Sequence, residues 1–350
     1  MQGSPFSKHF FQHCFKQFSK QFGSVPKAWC PQQSATVRMI FAVTMLTLGL
    51  CSLSIAREPT FDTARTIGTL TNPALAEISG LAASLSSAKA GGQFFWAIND
   101  SGNQAKLYII DQAGKVFDQL VLKKLGNHDW EDLETFTIDE QRYIAVGDIG
   151  DNFARRKVYY VHLIPEPDVS QAGKIGQIAP QQIKTIAFQY PEGPLDAESM
   201  TVDVVNKRIL ILGKQPNQAP LYSLPLVLEP KHFVYKAQKL TTLPMLGKLQ
   251  LSKGNWLQRL YGGAPTSMTV LTGLGVDQPD QTITLAVLSY DAVSIVELSA
   301  DTQQAKLIER ISLPKMAQAE ALAQTRWSPL GLLIMSEKND VIVTIDALKR

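Results

Sequence analysis

Between residues 57 and 350 the chain alternates short apolar runs with turn clusters. FFWAI (94–98), KLYII (106–110), RYIAV (142–146), VYYVHLI (158–164), KTIAFQY (184–190), RILIL (208–212), TITLAVL (282–288), VSIVEL (293–298), GLLIM (331–335) and VIVTI (341–345) are rich in β-branched and aromatic residues and bounded by Gly, Asn, Asp and Pro. Runs of that length and composition read as strands, and no long stretch carries the 3.6-residue period of an amphipathic helix. The pattern therefore predicts an all-β domain over 57–350.

One unit recurs five times: a polar or acidic residue, a spacer, an apolar residue and a first strand, then a second strand ending in a polar residue, then a third. The copies begin at EISGLAAS (77–84), DWEDLETF (129–136), DAESMTVD (196–203), PTSMTVLT (265–272) and AEALAQT (319–325). A three- or four-stranded sheet of this size cannot bury both faces alone, so repeated copies predict blades stacked around an axis, a β-propeller of five or six blades. A pair of packed sheets is the alternative. ARTIGTL (64–70) is strand-like and is expected to complete the final blade, closing the ring and removing an open edge.

The inner strand of each blade should bring its end to the axis. Seventeen residues separate Glu131 from Asp148, sixteen Glu198 from Lys214, and seventeen Glu320 from Glu337, one hairpin in each case. Equivalent spacing places these residues, with Asp151 and with Asn99 and Asp100 of INDSGN, around one mouth. Aligning the second copy through Glu134 instead of Glu131 fits its first strand better and its hairpin worse. Carboxylates gathered in this way repel one another unless a cation, a Lys or Arg, or a proton intervenes. Glu131, Asp148, Asp151, Glu198, Asn99, Asp100 and Glu337 are thus candidate ligands, and an all-oxygen set favours Ca²⁺ or another hard divalent cation such as Mg²⁺. NDSGN (99–103) and GDIGDN (147–152) also have the composition of turns, where Asp and Asn bond their own backbone.

In a hydrolytic version of the site His128 or Glu320 is the candidate base, and Lys214 or Arg155 the group that stabilises developing negative charge. His128 would otherwise be an exposed turn histidine. No G-x-S-x-G, H-E-x-x-H, Walker A or dinucleotide fingerprint occurs.

The first 56 residues have a different character. Lys8, Lys16, Lys20, Lys27 and Arg38 stand without any acidic residue before the apolar run 39–56, the layout of a basic leader and signal peptide with cleavage near Ala56. An uncleaved inner-membrane anchor with the rest of the chain outside the cytoplasm is the other reading. The protein is expected in the periplasm or secreted, a monomer touching membrane only through this segment. Cys14, Cys30 and Cys51 all precede residue 57, so neither disulfides nor thiol chemistry belongs to the main domain. Removing the five leader cations from the formal net charge of +3 leaves −2, which argues against nucleic acid as a partner.

EISGLAAS, WAINDSGN with LYIID, HDWEDLETF, YIAVGDIGDN with RRKVYYVHLIPEP, and DAESM, in this order from about residue 77 to 223, resemble a family of exported bacterial β-propeller proteins of largely unassigned function. That family is distantly similar to NHL-type, phytase-like and gluconolactonase-like propellers, and the resemblance implies an axial calcium site. The fourth copy departs from the pattern, with no acidic residue matching Glu198. Two functions follow as expectations: a metal-assisted hydrolase of a small ester, lactone or phosphoester, or a non-catalytic envelope module that engages a protein, peptide or glycan.

Overall fold

A computed structural model of the chain describes residues 60–86, 93–169, 175, 178–215, 218–231, 233–243, 263–272, 282–299, 301, 304–326, 331–338 and 340–347. The leader and its apolar run lie outside the described residues. Within them no helix is long and apolar enough to cross a membrane.

Five antiparallel sheets form five blades. Blade 1 comprises β2 (Ile78–Ala83), β3 (Phe95–Asn99), β4 (Lys106–Ile110) and β5 (Val116–Val121). Blade 2 comprises β6 (Trp130–Ile138), β7 (Gln141–Asp148), β8 (Tyr159–Pro165) and β9 (Lys184–Gln189). Blade 3 is built from β10 (Ala197–Asp203), β11 (Arg208–Gly213), β12 (Ala219–Pro225) and β14 (Gln238–Leu243), and the two-residue β13 (Tyr235–Lys236) leaves it to pair in parallel with β9. Blade 4 holds β15 (Pro265–Val270), β16 (Ile283–Ser289), β17 (Ala292–Leu298) and β18 (Ala305–Ser312). Blade 5 holds β19 (Ala319–Gln324), β20 (Gly331–Ser336) and β21 (Val341–Asp346), with β1 (Arg65–Thr69) as its outer strand.

The five sequence copies are the five inner strands, so the blade number is five. Closure occurs as expected: β1 runs antiparallel to β21, Phe61 bridges Ala347, and Arg65 pairs with Asp346 at 2.6 Å.

The continuous apolar runs follow from burial on both blade faces. In β3, Trp96 and Ile98 pack toward blade 2, while Phe95 and Ala97 pack toward blade 5. Each pair of neighbouring blades encloses its own apolar core, and each inner strand adjoins the next around the axis.

The axis itself is polar, and β6 supplies what fills it. Asp132, with no exposed surface, accepts hydrogen bonds from the backbone N–H groups of Leu133 (2.9 Å), Met200 (2.9 Å) and Met268 (3.1 Å) and from Ser267 Oγ (3.1 Å). One turn of the pleat further on, Glu134 accepts from Thr201 Oγ1 at 3.0 Å and Thr269 Oγ1 at 2.7 Å. The two carboxyls of one strand thereby tie blades 2, 3 and 4 together, and the second register, through Glu134, describes this inner level instead of the mouth. Burial raises the pKa of Asp132, against the pull of the three N–H groups. Replacing it with Ala orphans buried donors on two other blades, at about 1–3 kcal/mol for each unsatisfied group. Asp132→Ala is therefore expected to lose at least ~3 kcal/mol in urea denaturation, and Asp132→Asn, which retains an acceptor oxygen, considerably less.

Candidate metal centre

Every inner strand carries a β-bulge near its start, between Ile78 and Gly80, Trp130 and Asp132, Ala197 and Ser199, Pro265 and Ser267, and Ala319 and Ala321. A bulge inserts one unpaired residue and re-aims its side chain. The bulged residues are Ser79, Glu131, Glu198, Thr266 and Glu320. Glu131 is thus the structural equivalent of Glu198 and Glu320. In blades 1 and 4 the position carries a hydroxyl that stitches to the next blade: Ser79 Oγ donates to the Trp130 carbonyl at 2.9 Å, and Thr266 Oγ1 to the Ala319 carbonyl at 2.7 Å.

The residue just after each second strand completes the mouth. Asp100, Ile149, Lys214 and Glu337 donate backbone N–H groups to Glu77, Asp129, Asp196 and Gln318, the residues immediately before the inner strands, and Tyr290 follows β16 at the corresponding place. The mouth therefore includes Asp129, Asp196, Tyr290 and Gln318, which the spacing argument did not single out. Their signal was in the sequence: D-W-E at 129–131, D-A-E at 196–198 and Q-A-E at 318–320 share one alternation across the bulge.

Asp100, Asp129 and Glu131 each offer a carboxylate oxygen, and the three oxygens lie within 4.8 Å of one another. Glu131 is 5% exposed, and among the described residues no group donates a hydrogen bond to it. Burial first, then the charges of Asp100 and Asp129, push its pKa well above the usual carboxylate range; burial and the charge of Asp100 push Asp129 to about 6, against a hydrogen bond from Ser101. Gly150 makes this packing possible. A methyl group there would collide with Glu131 Oε1 and stand 2.6 Å from Asp129 Oδ2, so the second glycine of GDIGDN is a close-approach residue. Three oxygens on two half-buried groups and one buried one suit a hard cation that completes its shell with water or substrate.

The other bulge carboxylates meet different counter-charges. Glu198 forms an ion pair with Lys214, both nearly buried. Glu320 accepts hydrogen bonds from Tyr290 Oη (3.2 Å) and Gln318 Nε2 (3.0 Å) and interacts closely with Glu337. Burial raises both carboxyls, and the Glu320 charge adds to the effect on Glu337, whose pKa is pushed up to about 9. Glu337 accordingly sits with Glu320, apart from the Asp100, Asp129 and Glu131 set.

Asp148 is not brought into the mouth. The mouth position in blade 2 belongs to Ile149, and in a pleated strand a shift of one residue turns the side chain to the other face. Asp148, fully buried, instead binds the Arg156 guanidinium at 2.7 Å and His128 Nδ1 at 3.0 Å, with His162 Nε2 at 4.0 Å. Burial lowers the His162 pKa to about 4. The His128 side chain remains 68% exposed, as a turn histidine would. Asp151 organises the following loop, accepting from the N–H groups of Arg155 (2.9 Å) and Arg156 (2.8 Å) and from Tyr159 Oη (2.8 Å). Arg155 itself is exposed, its guanidinium 5.3 Å from the Phe153 ring centre, so Arg156 is the arginine that neutralises buried charge here. Asn99 turns its Nδ2 to the Ala74 carbonyl at 2.9 Å, leaving its buried Oδ1 without a partner.

No protein-family model matches the chain, and no curated protein does. Among solved structures the chain is similar to a luciferin-regenerating enzyme (TM-score 0.42, 11% identity, 83% of this chain and 96% of that one) and to the glutaminyl cyclase of Myxococcus xanthus (0.40, 12%, 83% and 100%). An auxiliary nutrient binding protein of Bacteroides thetaiotaomicron aligns over 73% of this chain and 57% of its own, with a TM-score of 0.41 and 10% identity. At these scores the neighbours carry no inference about chemistry here.

A carboxyl whose pKa is raised on folding stabilises the native state fully below its unfolded value and loses that contribution as pH climbs through the folded value. For Glu337 the window runs from 4.5 to about 9. Without divalent cations, thermal stability should therefore decline from mildly acidic to alkaline pH, and the slope should flatten in Glu337→Gln. An alkaline optimum in cation-free buffer would contradict this.

Proposed function

We propose that the protein is an exported β-propeller that binds one divalent cation of the calcium class at its axial mouth and uses it in hydrolysis of a small ester, lactone or phosphoester. Asp100, Asp129 and Glu131 are the ligands in this reading. The observation that carries it is Glu131, a buried carboxylate without a hydrogen-bond donor, packed against two further carboxylates over a glycine that leaves them room. When bound, such a cation supplies Lewis-acid polarisation of a substrate oxygen. The chain's own residues would then orient the substrate: Lys214 reaches Glu131, Asp196 and Glu320 electrostatically and would meet an anionic group, while Tyr290 and Gln318 fix Glu320 by donating to its Oε1. Asp132 and Glu134 fill the axis below, favouring entry from the mouth side.

A second reading, a non-catalytic envelope module, is favoured by Phe153, 78% exposed on the loop after GDIGDN with Arg155 over its ring. Such a module would retain its partner through chelation, whereas a metal-assisted hydrolase would lose turnover.

Calorimetry with calcium should register one site, and 100-fold excess over Kd should stabilise the fold by about 2.7 kcal/mol in melting experiments. Glu131→Gln and Gly150→Ala are expected to abolish the calcium-dependent shift while the cation-free protein remains folded. An unchanged shift in both variants would refute the ligand set.

A further inference from the structure

The mouth has a second half, facing the cation ligands from blade 5. Glu320 occupies the bulge position that Glu131 occupies in blade 2, and Glu337 the post-strand position that Asp100 occupies in blade 1. Their carboxyls interact at close range, where two negative charges repel and one shared proton relieves the repulsion. Tyr290 Oη and Gln318 Nε2 both donate to Glu320 Oε1, marking Glu320 as the charged, accepting partner and Glu337 as the proton carrier.

We propose that Glu320 and Glu337 form an acid–base pair, sharing one proton, that works on a substrate held at the cation centre. The proposal rests on the cation reading above. Independently of the pair, two polar groups indicate that a ligand is received here. Glu131 lacks any hydrogen-bond donor among the described residues, and its charge reaches Tyr290; Glu198 Oε2 is buried and without a partner. The charged and titratable groups around the pair are Glu77, Asp100, Lys214 and Tyr290, with Lys338 tied to Gln318 Oε1. Burial and Asp100 favour the protonated form of both groups, but Lys214 and Gln318 favour the charged form of Glu320, while the Glu320 and Glu77 charges add to the protonation of Glu337.

For an ester or lactone the step balances without a further reactant. A water oxygen adds to the acyl carbon and one water proton passes to Glu320. Glu337 gives its proton to the leaving oxygen as the C–O bond breaks. A proton then passes back from Glu320 to Glu337, so the products are a carboxylic acid and an alcohol and the pair ends as it began.

The test combines infrared difference spectroscopy with turnover of para-nitrophenyl acetate and a γ-lactone, using the full chain with saturating calcium. A protonated-carboxyl C=O band at neutral pH should be present in the wild type and absent from Glu337→Gln. At least one probe should be hydrolysed, with kcat lowered on the order of 10²- to 10⁴-fold in Glu337→Gln and in Glu320→Gln. KM and the calcium Kd should change by less than about twofold, because a group acting only in the transition state leaves ground-state binding alone. Glu337→Asp should restore part of the rate, and Glu337→Gln should lose the alkaline limb of the pH profile that a merely structural residue would leave in place. Absence of the carboxyl band, or no turnover of either probe while calorimetry still registers calcium, would overturn the pair and leave the cation reading standing. Turnover that survives chelator yet falls in Glu337→Gln would sink the cation reading and the placement of substrate at it, and leave only the acid–base roles of the two glutamates.

Discussion

Electrostatic crowding at the ends of five inner strands is the constraint around which this molecule is arranged. A bulge at the same place in every inner strand aims a side chain at the axis, and in three blades that side chain is a glutamate. Buried carboxylates at such separations cannot all be ionised without compensation. Blade 3 answers with the ammonium of Lys214, and in blade 5 burial and the Glu320 charge push the Glu337 carboxyl toward its protonated form. Asp100, Asp129 and Glu131, spanning blades 1 and 2, have no ion-pair partner among the described residues, with Lys214 and Arg156 acting on Glu131 and Asp129 only at longer range, and their oxygens are spaced for an ion. The case for a cation thus comes from a comparison within one molecule, where equivalent backbone positions meet the same difficulty with different chemistry.

Much of the architecture was legible because propeller periodicity is local. Strand runs, five copies of the inner strand and the closing role of ARTIGTL all follow from composition and alternation, and the structure bears each out. The blade count was ambiguous between five and six because copy spacing reflects loops as well as blades. One long connection, between β8 and β9, inflates the second interval without adding a blade.

The site was less legible, for a reason that is equally local. The hairpins differ in length, equivalent positions lying 18 residues apart in blade 2 (Glu131 and Ile149), 16 in blade 3 and 17 in blade 5, so a shared count misplaces a side chain by one. Asp148 was aligned with Lys214 and Glu337 on that count, yet Ile149 holds the equivalent position and Asp148 faces Arg156 and the two histidines. Asp129 escaped because it stands just before the inner strand, outside the strand-end positions that were compared. The turn-like composition of GDIGDN proved to serve both purposes at once: Asp151 closes the loop on its own backbone, and Gly150 yields space to the acidic group.

The outer strand of blade 5 comes from the opposite end of the chain from its three companions. β1 lies near residue 65 and pairs with β21, which ends at Asp346, so this strand must wait while four whole blades are synthesised before its neighbour exists. Four blades can organise their sheets as they emerge, but the circle cannot be sealed vectorially. Its strand pairing spans about 280 residues, the longest separation among the strand pairs of the described residues, which makes closure a slow, late event. Until then, the unsealed edge is the stretch most open to chaperone capture or mispairing with another nascent chain.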